Sequence, residues 1–119
     1  MISKETKKVI VFCDSIKDML DVSIEILDGI YPHVDVKTRY LRCVIDVDDG
    51  RIMIELRPAR KEKTGGLCPH YILFETNDTE FIDMVRYSIV TKYNSIELSS
   101  IQELIDLVIK LTAKEKDND

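Results

Sequence analysis

The stretch Val9-Ile10-Val11-Phe12-Cys13 sets the architecture expected of this chain. Five apolar residues follow one another with no polar partner between them, so neither face of a strand built from them could rest in water. That pattern suits a strand inside an α/β sheet, covered on both sides. Asp14 and Ser15 come next, and a side-chain oxygen at either can accept a hydrogen bond from a free N–H of a helix's first turn. A helix over 15–28 is therefore expected, with Ile16, Met19, Leu20, Ile24 and Leu27 turned to the core. Gly29 offers a left-handed stop, and Pro32 lies just beyond it.

Downstream, 34–58 reads as a long hairpin. Leu41, Cys43, Ile45 and Val47 alternate with Arg42, Val44, Asp46 and Asp48, and Ile52, Ile54 and Leu56 alternate with Arg51, Met53, Glu55 and Arg57. Asp48-Asp49-Gly50 supplies the turn, because Gly tolerates the positive φ of tight hairpins. Pro58 ends the second arm, having no N–H for a ladder. After a polar loop from Ala59 to Pro69, Tyr71-Ile72-Leu73-Phe74 is a second buried-type strand. Asn77 and Glu80 form a capping pair for a helix carrying Phe81, Ile82, Val85 and Ile89. A short strand at about 95–98 follows. Ser100-Ile101-Gln102-Glu103 then opens a last helix with Ile101, Leu104, Ile105, Val108 and Leu111 at helical spacing. The order β-α-β-β-β-α-β-α predicts a small α/β domain with a mixed sheet of about five strands and three flanking helices. It occupies 1–113, and 114–119 is expected to be a frayed charged tail.

The bulk numbers agree. At 119 residues the chain suits one domain, and 45% hydrophobic with 33% charged residues is ordinary globular composition. No window approaches the roughly 20 apolar residues of a membrane span. The N-terminal segment lacks a signal peptide's apolar run, and Cys13, Cys43 and Cys68 are too few and scattered for a disulfide framework. A cytoplasmic location is expected. The formal net charge of -5 argues against general nucleic-acid binding through the whole surface.

The sharpest functional pattern lies on the first helix. Asp14, Asp18, Asp21, Glu25 and Asp28 follow spacings of four, three, four and three. They fall within an arc of about 80° along about 21 Å of helix. Only Lys17 lies near enough in sequence to offset them. Such a row can be the wet face of an amphipathic helix. It can also be a docking surface for a basic partner, since aligned carboxylates imitate a phosphate strand and attract a cationic groove.

Positive charge collects elsewhere. Five of the six arginines lie in 39–60, namely Arg39, Arg42, Arg51, Arg57 and Arg60, with Lys37, Lys61 and Lys63 close by. A phosphate or nucleic-acid patch around Arg57, Arg60, Lys61 and Lys63 is one reading, since Arg favours bidentate phosphate contacts. The interleaved Asp46, Asp48, Asp49, Glu55 and Glu62 make cross-strand pairing the other. Asp14 and Glu75 each follow a buried-type strand, where ligands of open α/β sheets sit, and could share a Mg²⁺ if those strands are neighbours. Cys68-Pro69-His70 brings a thiol near an imidazole without the second ligand pair of a structural zinc site. No Gly-x-Ser-x-Gly, Gly-x-Gly-x-x-Gly or HExxH element occurs, and no cofactor is expected.

The segment from Thr64 through Gly65-Gly66-Leu67-Cys68-Pro69-His70 to Tyr71-Ile72-Leu73-Phe74-Glu75-Thr76 resembles part of the phage terminase-like and helicase-like P-loop ATPases. It is similar to the stretch preceding and including their Walker B strand, where a Gly-Leu turn leads into an apolar strand ending in an acidic pair. The likeness covers about 13 residues closely and the rest by topology, and Glu75 matches the family's acidic position. Where that family has G-x-x-x-x-G-K-[ST], this chain has Cys13-Asp14-Ser15-Ile16-Lys17-Asp18. Without those glycines the backbone cannot cradle phosphates, and Asp14 would repel them. The resemblance implies a degenerate core, of a phage or other mobile element, that has lost nucleotide hydrolysis.

The expected function is a non-enzymatic interaction protein that binds a basic protein through the acidic helix face, with a nucleic-acid-handling machine as a natural target to inhibit. The alternatives are a nucleic-acid or phosphate binder using the Arg-rich hairpin, and a Mg²⁺-dependent phosphotransfer or nuclease enzyme using Asp14 and Glu75.

Overall fold

The Val9–Cys13 run is the middle of a sheet. The structure is a computed structural model that describes residues 6–33, 36–40, 44–47 and 51–117, with side chains described at all of these except 37–40 and 113–117. Strand β1 (Lys7–Cys13) pairs in parallel with β4 (Ile52–Pro58) on one side and β5 (Tyr71–Glu75) on the other. It is buried on both faces from Val9 to Cys13, as an unbroken apolar run requires.

Outward from this centre, β3 (Val44–Val47) pairs antiparallel with β4, β2 (Val36–Tyr40) pairs antiparallel with β3, and β6 (Ile96–Leu98) pairs parallel with β5. The mixed six-stranded sheet runs β2-β3-β4-β1-β5-β6. The additional strand comes from the first hairpin arm, whose two halves pair antiparallel with Tyr40 opposite Val44, after a register shift between Thr38 and Tyr40. Leu41-Arg42-Cys43 holds no Gly, Pro, Asn or Asp, so nothing in the alternation announces that reversal. The arms keep the expected alternation, with Ile45 opposite Ile54, Val47 opposite Ile52, and all four buried. The expected turn at Asp48-Asp49-Gly50, together with Leu41, Arg42 and Cys43 of the expected alternation, lies outside the described residues.

Helices cover both faces. On one face α1 (Ile16–Ile30) and α4 (Ile101–Asp117) close a core of Val9, Val11, Ile54, Leu56, Ile26, Leu104 and Val108. On the other, α2 (Thr79–Val85) continues through a π-helical turn (Arg86–Val90) into α3 (Thr91–Tyr93), which ends on left-handed Asn94. This layer buries Phe81, Val85 and Ile89 over Ile10, Phe12 and Ile72. Phe12 and Phe81 meet edge to face at 4.9 Å, an arrangement the ring quadrupoles favour. Helix α4 carries regular structure to Asp117, past residue 113. Among the described residues no helix is long and apolar enough to cross a membrane.

The caps show how local chemistry sets the boundaries. Ser15 caps α1, its Oγ accepting from the Asp18 N–H at 3.1 Å. The cap of α2 is Asp78, one residue later than the expected Asn77, and accepts from the Phe81 N–H at 3.1 Å. Ser100 accepts from the Glu103 N–H at 3.1 Å, and Glu103 reaches back to the N–H of Ser99 at 3.0 Å, so the capping box closes one residue early.

Two expectations for α1 need correction. Gly29 is not a left-handed stop, for the helix continues through it to Ile30. A Cβ at Gly29 would stand 2.4 Å from Ile105 Cδ1. The glycine is there because α1 and α4 touch at that point. The roll of the helix also differs. Met19 is buried and Leu27 packs against the core, yet Val22, Ser23, Ile26 and Ile30 complete the inner face. Ile16, Leu20 and Ile24 are 61%, 40% and 48% exposed. Apolar residues cover about 200° of this helix, more than one core can bury, and the contact with α4 selects which part goes inward.

Candidate functional site

The outward face of α1 holds two parallel rows. The first is the acidic one. Asp21, Glu25 and Asp28 are exposed and Asp18 is partly so, whereas Asp14, though exposed, is not on the helix face as expected: it precedes the extended N-cap Ser15, and its carboxylate is turned to Thr76. Among the described residues no cation forms an ion pair with any of them; Arg57 pairs instead with Glu55, and Arg86 with Asp83 and Glu97. Asp18 lies in the first turn, where the helix dipole favours it, but no basic residue occupies the last turn, where Asp28 sits unfavourably. Like charges at these spacings each repel by a few tenths of a kcal/mol, so the row costs the isolated helix about 1 kcal/mol.

The second row, which the sequence pattern assigns to the core, lies in water instead. Ile16, Leu20 and Ile24 stand four residues apart, and Tyr31, 69% exposed, continues the line past the helix end. At about 100° per residue this apolar ridge spans about 80° and borders the acidic arc. The sequence signal for it is the breadth of the apolar arc, which only the contact with α4 resolves.

The carboxyl ends of β1 and β5 form the third feature. The chain leaves β1 towards β4 through α1, and leaves β5 towards β6 through α2 on the opposite face. This is the switch point at which open α/β sheets hold ligands. Asp14, Phe74, Glu75, Thr76 and Asn77 line a shallow cleft of about 230 Å³ there. Asp14 and Glu75 do come from neighbouring strands, since Cys13 pairs with Glu75. The Asp14 carboxylate accepts a hydrogen bond from Thr76 Oγ1, which itself accepts from the Asp78 N–H at 3.1 Å, so Asp14 ties two loops together. Among the described residues no three His, Cys, Asp or Glu side chains are grouped to hold a metal ion.

Electrostatics link this end of the sheet to the acidic row. Burial, then the charge of Glu25, pushes the Glu75 carboxyl above its usual range. Cys13 is pushed up to about 12 by burial first, then by Glu75, Asp18 and Asp14. Glu75 therefore extends the negative surface of α1 across the sheet end, a neighbour that only the parallel pairing of β1 and β5 reveals.

The basic candidates are partly occupied. Arg57 donates to Glu55 at 2.6 Å and to the Lys63 carbonyl at 3.0 Å, clamping the 3₁₀ turn of Lys61–Lys63. Arg60 and Lys61 line a cleft of about 450 Å³ that Glu62, Asp78 and Glu80 also line. Arg42 and the side chains of Lys37 and Arg39 lie outside the described residues. At the other end of the sheet, exposed Cys68 shares a cleft of about 380 Å³ with His70, Tyr93 and Asn94. His70 is engaged there, its Nδ1 accepting from the Lys8 N–H at 3.0 Å.

Comparison with known protein families, curated protein sequences and solved structures finds no match to this chain.

Proposed function

We propose that this chain is a non-enzymatic interaction protein whose α1 face binds a basic protein partner. The observation that carries the reading is the row of carboxylates Asp18, Asp21, Glu25 and Asp28, outward-facing and without a pairing cation among the described residues, with Asp14 just before the helix. Beyond the Asp14–Thr76 hydrogen bond and the place of Asp18 in the first turn, folding gains nothing from the row, and the like-charge repulsion within it opposes the helix. A cationic partner would relieve that repulsion. At physiological salt the screening length of about 8 Å is shorter than the row, so the carboxylates act as successive local contacts, while at low salt they steer encounter as one field. A partner that normally grips nucleic acid would meet here a line of negative charge in a familiar place. The phage or mobile-element setting is part of this proposal and rests on residues 64–76 alone.

The test is charge reversal. Asp18→Lys, Asp21→Lys and Glu25→Lys, combined in one variant, should abolish capture of any basic partner retained by the wild-type protein and confirmed with the purified pair. Undiminished binding by the folded variant would refute the proposal. The Arg-rich reading has weaker support, because Arg57 is paired with Glu55 and acids line the cleft beside Arg60 and Lys61.

A further inference from the structure

We infer that the partner surface of α1 is amphipathic, and that it accepts a basic amphipathic helix lying along the seam between the Ile16–Leu20–Ile24 ridge and the acidic row. This rests on the reading of α1 as a docking face, and it adds the class of partner.

The ridge has a direction. Ile16, Leu20 and Ile24 form a row of side chains four residues apart, the kind that fits the groove of a second helix. With Tyr31 it extends about 22 Å, roughly four turns. An extended strand would find no edge here, since every backbone group in the middle of a helix is already bonded, and its own N–H and C=O groups would stay unpaired. Gly29, which meets α4 through Ile105, lies about 180° around the helix from Leu20, so the ridge faces away from α4.

Charge selects the occupant. Asp21 and Asp28 stand three residues before and four after Ile24, on the acidic border of the ridge. A helix seated on Leu20 and Ile24 would bring one of its own flanks over those carboxylates, and lysine or arginine there would complement them. A second copy of this chain would set acidic row against acidic row. An anionic membrane surface would be repelled in the same way.

The test uses a synthetic helical peptide with leucines in one stripe and lysines on one flank, and a scrambled control of the same composition. The wild-type protein should bind the amphipathic peptide at least about tenfold more tightly than the scrambled one. Leu20→Ser with Ile24→Ser should weaken binding by roughly fivefold per residue, because less apolar surface leaves water on docking. Its melting temperature should fall by no more than several degrees, since both side chains are about half exposed, and far-UV circular dichroism should show the fold retained. Asp21→Lys with Asp28→Lys should weaken binding and remove its salt dependence. If the serine variant binds normally while the lysine variant does not, the acidic docking reading survives and the amphipathic one is overturned. If neither variant loses affinity, or the wild-type protein binds neither peptide, both are overturned. Equal binding of both peptides, self-association through the ridge, or adsorption to anionic vesicles would each overturn the inference.

Discussion

Replacing Gly29 by alanine tests the contact that sets the roll of α1. In an exposed helix Gly→Ala gains about 1 kcal/mol from propensity. Here the new methyl would stand 2.4 Å from Ile105 Cδ1 and 2.9 Å from its Cγ1, and overpacking of this kind costs about 1–3 kcal/mol. The net expectation is destabilisation by up to about 2 kcal/mol, a fall in melting temperature of several degrees for a domain of this size. Ile105→Val removes only the Cδ1 atom met first and should cost about 0.5–1.5 kcal/mol alone. In that background Gly29→Ala should become nearly neutral, giving a coupling of about 1 kcal/mol in the double-mutant cycle. Urea unfolding followed by far-UV circular dichroism measures all four proteins. A Gly29→Ala variant that is stabilised, or equally destabilised in both backgrounds, would show that Ile105 does not press on this position and that α1 is rolled differently.

Other consequences are directly measurable. Ile26→Ala, at a fully buried site, should cost about 2–5 kcal/mol, whereas Ile24→Ala, two residues away and half exposed, should cost under about 1 kcal/mol; urea titration separates them. Native-state alkylation with peptide mapping should modify exposed Cys68 readily and leave Cys13 untouched until unfolding, because the reactive thiolate is suppressed at a thiol pushed up to about 12. Glu75 holds its proton more tightly in the folded than in the unfolded chain, so its charge opposes folding at neutral pH and ceases to do so below its ordinary value of 4.5. Thermal melts of Glu75→Gln should accordingly show a small gain near pH 7 that disappears in acid.

The central strand and the element types are legible in the residues because their signals are local. An unbroken apolar run and the Ser100 cap each announce themselves within a few positions. What is not legible depends on contacts between distant segments. Tyr40 faces Val44 across a reversal with no turn residues, so nothing local marks the sixth strand. The acidic row is legible, since spacing alone aligns Asp18, Asp21, Glu25 and Asp28, while the cap at Ser15 leaves Asp14 just before the helix. The ridge beside it is not, because Ile16, Leu20 and Ile24 look like core residues until Ile105 is known to sit against Gly29. Glu75's place beside the acidic row likewise requires the parallel pairing of β1 with β5.

Binding through α1 stands or falls on the affinity of the purified protein for a lysine-rich helical peptide as ionic strength is raised, with and without the carboxylates of Asp18, Asp21 and Glu25. Affinity should fall steeply as the screening length shrinks from about 30 Å to about 3 Å, and should vanish when the three acids become lysines. Affinity insensitive to both salt and charge reversal would contradict an acidic docking face on this helix.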